Sequence, residues 1–379
     1  LKTKYQKRYK MDAPGDDEYD EQQEIISRKG YLLKDLARNF IQCLGEAGPV
    51  SAGKLLHYTA DMVASGGLQL WQKLCLDYAY DHVGVASPRI FHFLQKRFRE
   101  LNELSVKLPQ EAFCRKPEIQ QQIMEIPIIL QIAPKKSKPK IPTIPQDTHE
   151  NDQWLRSVLR SSNKLAVRKV WSHSSDMDQM LHAGNEMIYA ITEGATERAL
   201  FWAKWLIEED AIYKKKFGAG LTTSERGPPQ APPKQKTAVG YYLINILAEV
   251  YKEFAEKGMV RMHEEFQALL DIYRSTDFRI TQRRKMDTMA LMIQILTDVP
   301  KWKVPAAPSL VPDSTQLNRA ISQAPAFFEE VLRLPVPPKP LPATVGNLKK
   351  KKVKDLTKQE LLEQQLKLQE KFMMGYYNM

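Results

Sequence analysis

The sequence predicts an all-α protein: two helical domains joined by a proline-rich extended linker, with basic extended tails and a C-terminal amphipathic helix. Three observations predict it. Apolar residues recur at helical spacing through most of the chain. The 24 prolines gather in a few stretches that cannot continue a helix. A length of 379 residues exceeds one comfortable core, so two domains of roughly 100 to 200 residues each are expected.

Residues 1–24 read as a charged tail, with five cations in "LKTKYQKRYK" and then seven acids between residues 12 and 24. The first helical domain is expected over 25–125. In "IISRKGYLLKDLARNFIQCL" the residues Leu32, Leu33, Leu36, Phe40, Ile41 and Leu44 form one stripe, and Gly45 ends the helix. Two shorter helices follow, broken at Ser65, Gly66 and Gly67, with Trp71, Leu74, Cys75 and Tyr78 on one face. In "SPRIFHFLQKRFRELNEL" Ser87 reads as a cap and Pro88 as the first helical residue, with Ile90, Phe91, Leu94 and Phe98 inward.

From Ile126 the string "IPIILQIAPKKSKPKIPTIP" has a proline every few residues, so residues 126–150 are expected to run extended as a Pro/Lys-rich linker. Helix resumes over 151–333. "TERALFWAKWLIEED" turns Ala199, Trp202, Ala203 and Leu206 inward, and "AVGYYLINILAEVYKEFAEKG" does so with Val239, Tyr242, Leu243, Ile246, Val250 and Phe254 before Gly258 closes it. "ERGPPQAPPKQK" between them reads as an exposed loop. Residues 334–379 are expected as a Pro/Lys-rich tail with a terminal helix, which opens on a Thr357/Glu360 capping box and has Leu361, Leu362, Leu366, Leu368 and Phe372 on one side. An isolated helix of that length is marginal in water, so it needs a partner, a second copy of the chain or its own domain to fold against.

The formal charge is +11, and basic runs mark the amino end, residues 135–140 and residues 349–354. Mobile tethers of this kind suit an acidic protein surface, a lipid head group or a nucleic acid. No apolar run reaches the ~18 residues of a membrane span. Cys43, Cys75 and Cys114 are odd in number and far apart, which fits a reducing compartment, and the amino end carries no apolar signal core. A soluble intracellular assembly is expected.

Motifs for chemistry are weak. "GPVSAGKL" matches a phosphate loop until Leu55, where a magnesium-holding hydroxyl belongs, and a helix, not a strand, precedes it. The histidines show no metal spacing, and Asp176 and Asp178 read as acids at a helix start. Neither catalytic residues, cofactor ligands nor metal ligands are assigned, and no enzyme is expected. Trp202 and Trp205 fit core packing better than base stacking. In "TQRRKMDTMALMIQILTD" the cations Arg283, Arg284 and Lys285 sit at the start of a buried helix, against its macrodipole. A carboxylate, a phosphate or solvent must answer them.

Three stretches, "YAYDHVGVASPRIFHFLQKRF", "ERALFWAKWLIEED" and "FRITQRRKMDTMALMIQILTD", together resemble an uncharacterised helical protein family of large nucleocytoplasmic DNA viruses. That resemblance implies a virion setting: a minor capsid component, in the shell or on its inner side, that touches other capsid or assembly proteins. It brings no catalytic residues. The candidate partner contacts are Arg283, Arg284 and Lys285, the lysines Lys349, Lys350, Lys351 and Lys352, and the apolar Leu361, Leu362, Leu366 and Phe372, the last four also suited to self-association. A nucleic-acid-binding accessory role in replication, transcription or packaging is the alternative, because the same basic segments can neutralise phosphates.

Overall fold

The computed structural model describes residues 25–343, apart from residues 278, 302–304 and 312–313 and the side chain of residue 300. The all-α expectation holds across these residues: regular structure is helical, and the β pairings are isolated bridges. In chain order the helices are α1 (Leu33–Gly45), α2 (Pro49–Ala64), α3 (Leu68–Tyr78), α4 (Arg89–Lys107), α5 (Gln110–Arg115), α6 (Pro117–Ile132), α7 (Asp152–Val158) and α8 (Leu165–Val170). They continue as α9 (Asp178–Thr192), α10 (Thr196–Phe217), α11 (Pro233–Lys236), α12 (Val239–Glu256), α13 (His263–Arg274), α14 (Gln282–Asp298) and α15 (Thr315–Leu332). No helix among the described residues is long and apolar enough to cross a membrane.

Apolar periodicity sets most of these elements. In α1 the residues Leu33, Leu36, Phe40 and Leu44 are buried, whereas Leu32, expected on the same stripe, lies outside the helix and is exposed. The α2–α3 break falls where two glycines were expected to place it. Gly66 takes a left-handed φ of 82°, which glycine adopts without penalty. A Cβ on Gly67 would lie 2.8 Å from the Met62 carbonyl and 3.0 Å from Leu341 Cδ1, so the break is also a crossing point for the chain beyond α15.

The proline reading misplaced the linker. Residues 126–132 are helix, not extended chain: α6 runs through Pro127, and Ile126, Ile128, Ile129 and Leu130 are buried. A proline inside a helix costs about 3 kcal/mol, and burial of four large aliphatic side chains at about 1.5–3 kcal/mol each outweighs it. The partner of α6 is α15, which carries its own internal proline, Pro325, and packs on α2 as well. The stretch expected as a tether therefore shrinks to a strap over 133–145.

A second difference concerns the division at that linker. Helix α15, expected in the 151–333 domain, packs on α2 and α5 of the 25–125 stretch and on α6, which begins in that stretch, and α13 packs on α4. The buried apolar residues of both stretches form one connected cluster, with Ile144 of the strap and Leu341 beyond α15 included. The strap counts as part of the folded body, so most of the formal +11 lies within residues 25–343. Segments 1–24 and 344–379, with Lys349, Lys350, Lys351, Lys352, Leu361, Leu362, Leu366 and Phe372, lie outside the described residues.

Candidate functional site

The three cations at the start of α14 meet three different fates. Thr281 caps the helix by accepting a hydrogen bond from the Arg284 N–H at 3.3 Å. With the first turn fixed, Arg284 points inward, Arg283 outward, and Lys285 along the helix toward α12 and α13.

Arg284 is the hub of an ion network whose centre, Arg284 and Asp287, is buried and whose other members are half-buried. Its Nε donates to Asp77 at 2.8 Å, and its Nη1 donates to Asp81 at 3.1 Å and to Asp287 at 2.8 Å. Asp77 closes α3, and Asp81 sits on the single wide turn Ala79–Val83, which swings it under the same guanidinium. Beneath the cation lies the ring of Tyr80, 5.3 Å from the guanidinium carbon, and the Tyr80 hydroxyl pairs with Thr288 at 2.6 Å.

Lys138 of the strap enters from the other side, donating to both Asp287 oxygens at 2.9 Å and reaching Asp81 at 2.8 Å. Lys73 holds Asp77 at 2.7 Å. Three carboxylates thus face three cations, and the node is neutral. Burial acts to raise the Asp81 carboxyl, but hydrogen bonds from Arg284 and Lys138 outweigh it and hold it down at about 2. Burial acts against the charge of Arg284, and its carboxylate partners reverse that and raise it.

The carboxylate alternative for the Arg283–Lys285 run is therefore realised at Arg284, which is withdrawn from any partner surface. Lys138, read as part of a mobile basic tether, is half-buried and likewise engaged by carboxylates of the body. Nothing local in "KKSKPK" distinguishes Lys138 from its neighbours; only the distant unmatched acids Asp81 and Asp287 signal a partner.

Lys285 lies over the rings of Tyr241 and Tyr273, 5.3 and 5.6 Å from their centroids, and donates to the Tyr241 hydroxyl at 3.1 Å. Arg283 is exposed and has no side-chain partner among the described residues. Both border a cavity of about 440 Å³ under Ile141 of the strap.

Other side chains singled out in the sequence are engaged within the fold. Trp202 and Trp205 are buried against Trp154, so no base can stack on them. His149 pairs with Glu209 at 2.7 Å and stacks on Trp205, fixing the turn at the end of the strap. Asp176 is bound by Arg226 and accepts from Thr222, which ties the chain before α9 to the loop after α10. All three cysteines are buried free thiols, and burial pushes the Cys114 thiol up to about 12. Lys54, the lysine of the phosphate-loop look-alike, lies inside α2 with no loop before it to cradle phosphates. Compared with known protein families, curated proteins and solved structures, the chain finds no match.

Proposed function

We propose that the chain is a structural interaction protein: a helical body that presents a terminal basic and amphipathic segment to neighbouring proteins in an assembly. The observation that carries this reading is the anchor at Leu341. Its side chain is buried, and its N–H donates to the Ser65 carbonyl at 3.1 Å, over the Gly66–Gly67 break. Buried Arg28 reinforces it, donating to the Ala64 carbonyl at 2.9 Å, to the Leu334 carbonyl at 3.2 Å, and to Glu111. The chain after α15 is thereby held at both ends of its first stretch, and residues 344–379 start from a fixed point on the body.

That segment begins with the run from Lys349 to Lys352 and ends in the pattern of Leu361, Leu362, Leu366 and Phe372. A lysine run adheres to acidic surfaces in a salt-sensitive way, and an amphipathic helix needs a groove or a second copy. The assembly that the sequence resemblance implies is the capsid of a large DNA virus, where the protein serves as a minor component tethering capsid proteins.

Crosslinking mass spectrometry of the complex from which the chain is isolated tests the reading. Lys349–Lys352 are expected to link to other chains, and links confined to the chain's own body would overturn it. A second reading, a nucleic-acid-binding accessory protein, is favoured by one observation: the net positive charge resides largely in the body, where Arg283 is exposed and has no side-chain partner among the described residues. Salt-dependent retention of nonspecific DNA by a chain ending at residue 343 supports that reading against the first.

A further inference from the structure

The cavity under Ile141 is built where two helices begin. Residues Ala238, Val239, Gly240 and Tyr241 bring the start of α12 to its wall, and Gln282, Arg283, Lys285 and Met286 bring the start of α14. No side chain caps α12 at Ala238. The free N–H groups of a first helical turn attract negative charge, and two such turns converge here, with the Arg284 N–H already given to Thr281 and the Tyr241 N–H to the Ala238 carbonyl.

Side chains add to that potential. Arg283, Lys285 and Lys204 line the cavity; Lys204 pairs with Glu208 at 2.7 Å, whereas neither Arg283 nor Lys285 meets a carboxylate among the described residues. The one acid on the wall, Asp210, is already engaged by Lys214 at 2.6 Å and by the Leu221 N–H at 2.9 Å. Lys285 cannot turn away cheaply, since it is packed over two tyrosine rings.

The two tyrosines supply an independent sign of a ligand. Tyr273 is 5% exposed, lines the cavity, and its hydroxyl has no hydrogen-bond partner among the described residues. A phenol held this rigidly at the cavity wall, with its hydroxyl proton unused by the protein, is placed to donate to a bound acceptor. Burial, with Tyr241 adding to it, raises the Tyr273 hydroxyl above its ordinary value, so it remains a donor. The Tyr241 hydroxyl accepts from Lys285, which leaves its own proton to give. Space for the Tyr273 hydroxyl exists because residue 240 is glycine: a Cβ there would overlap it.

We propose that this cavity binds a small phosphate monoester, its dianionic head held by Arg283, Lys285, the two tyrosine hydroxyls and the first turns of α12 and α14. The organic portion would lie on Ile141, Ile207 and Met286, and a volume of about 440 Å³ suits a small organic ligand. A terminal phosphate fits better than a carboxylate because donors approach from both helix starts and both rings, more than two oxygens accept. The site is independent of the tethering segment and stands or falls apart from it.

Calorimetric titration of the full chain with phenyl phosphate, inorganic phosphate, phenol and a single-stranded oligonucleotide lacking terminal phosphate tests the proposal. Phenyl phosphate is expected to bind about tenfold or more tighter than inorganic phosphate, with no saturable binding of phenol. Arg283→Ala, at an exposed position that folding does not need, should weaken phenyl phosphate roughly tenfold, and Tyr273→Phe about fivefold. A second variant, Lys285→Met, should weaken it by a similar roughly tenfold factor while keeping the aliphatic contact with the rings. Absence of phenyl phosphate binding at millimolar concentration overturns the site. So does unchanged affinity in Arg283→Ala, or an oligonucleotide that competes as well as the monoester.

Discussion

Lys138 and Arg284 grip the same two carboxylates, Asp81 and Asp287, from opposite sides. One cation comes from the strap after α6 and the other from the first turn of α14, so the node joins three distant segments of the chain. Asp287 is 2% exposed and the Arg284 side chain 10%. Each partner was desolvated to make the pair, and each is left uncompensated if the other is removed.

Arg284→Met should therefore destabilise the protein by about 3–5 kcal/mol, because three acids then face only two lysines and one of them, Asp287, is buried. Arg284→Lys should cost less but not be neutral, since one ammonium cannot reproduce the fork that reaches Asp77, Asp81 and Asp287 at once. Adding Asp81→Asn to Arg284→Met should recover part of the loss, as residues of one network couple. Equilibrium denaturation in urea gives these differences. A loss below about 1 kcal/mol for Arg284→Met contradicts the account of the node.

The same node sets a pH window. Asp81 is depressed from 3.8 to about 2 in the folded chain. A depressed carboxyl contributes stability above its unfolded value, and that contribution disappears as pH falls from about 4 through about 2. Asp81 is 35% exposed, so solvent screening reduces the expected contribution to about 1 kcal/mol. Asp81→Asn should flatten the stability profile between pH 4 and 2 while lowering stability at neutral pH. Thermal melts across that range test it, and an unchanged slope in the variant counts against it.

Much of this fold was legible in the sequence because helix periodicity is a local signal. The stripes of α10 and α12 predict residues that are buried, that of α1 does so except at exposed Leu32 and half-buried Ile41, and Gly258, at φ 70°, ends α12 as expected. What failed depends on partners far along the chain. Pro127 read as a break because its lost hydrogen bond is visible locally, whereas the burial that offsets it comes from α15. Ser87 read as a cap, yet its hydroxyl has no hydrogen-bond partner among the described residues and α4 begins without a side-chain cap. At the candidate site, Arg283 and Lys285 were legible as unusual cations at a helix start. Tyr241, Tyr273 and Gly240 were not, since tyrosines in apolar runs look like core until their hydroxyls are placed.

Gly240→Ala should expose that packing directly. An added Cβ overlaps the Tyr273 hydroxyl, while the ring carbon behind it is 3.2 Å away. The expected loss is about 1–3 kcal/mol, the usual cost of overpacking. Tyr273→Phe removes the obstructing oxygen, so the double variant should regain most of that stability. A double-mutant cycle by chemical denaturation measures the coupling; additive effects would mean the two residues do not meet.

Leu341 offers the last test, because it separates the anchor from the body it sits on. Leu341→Ala removes a side chain that is 5% exposed and packs on Gly67, and the expected cost to its docking is about 2–4 kcal/mol. Most of α2, α3 and α6 does not depend on that contact, so the loss should be local. Hydrogen exchange should accelerate at the Leu341 amide, which the Ser65 carbonyl protects, and at its neighbours over 334–343, with rates in α12 and α14 unchanged. The neighbouring Arg28 contacts hold Leu334, so adding Arg28→Met should extend the fast exchange back toward the end of α15. If Leu341→Ala lowers the stability of the entire helical body instead, this stretch is an integral layer of the core, and residues 344–379 do not start from a separable anchor.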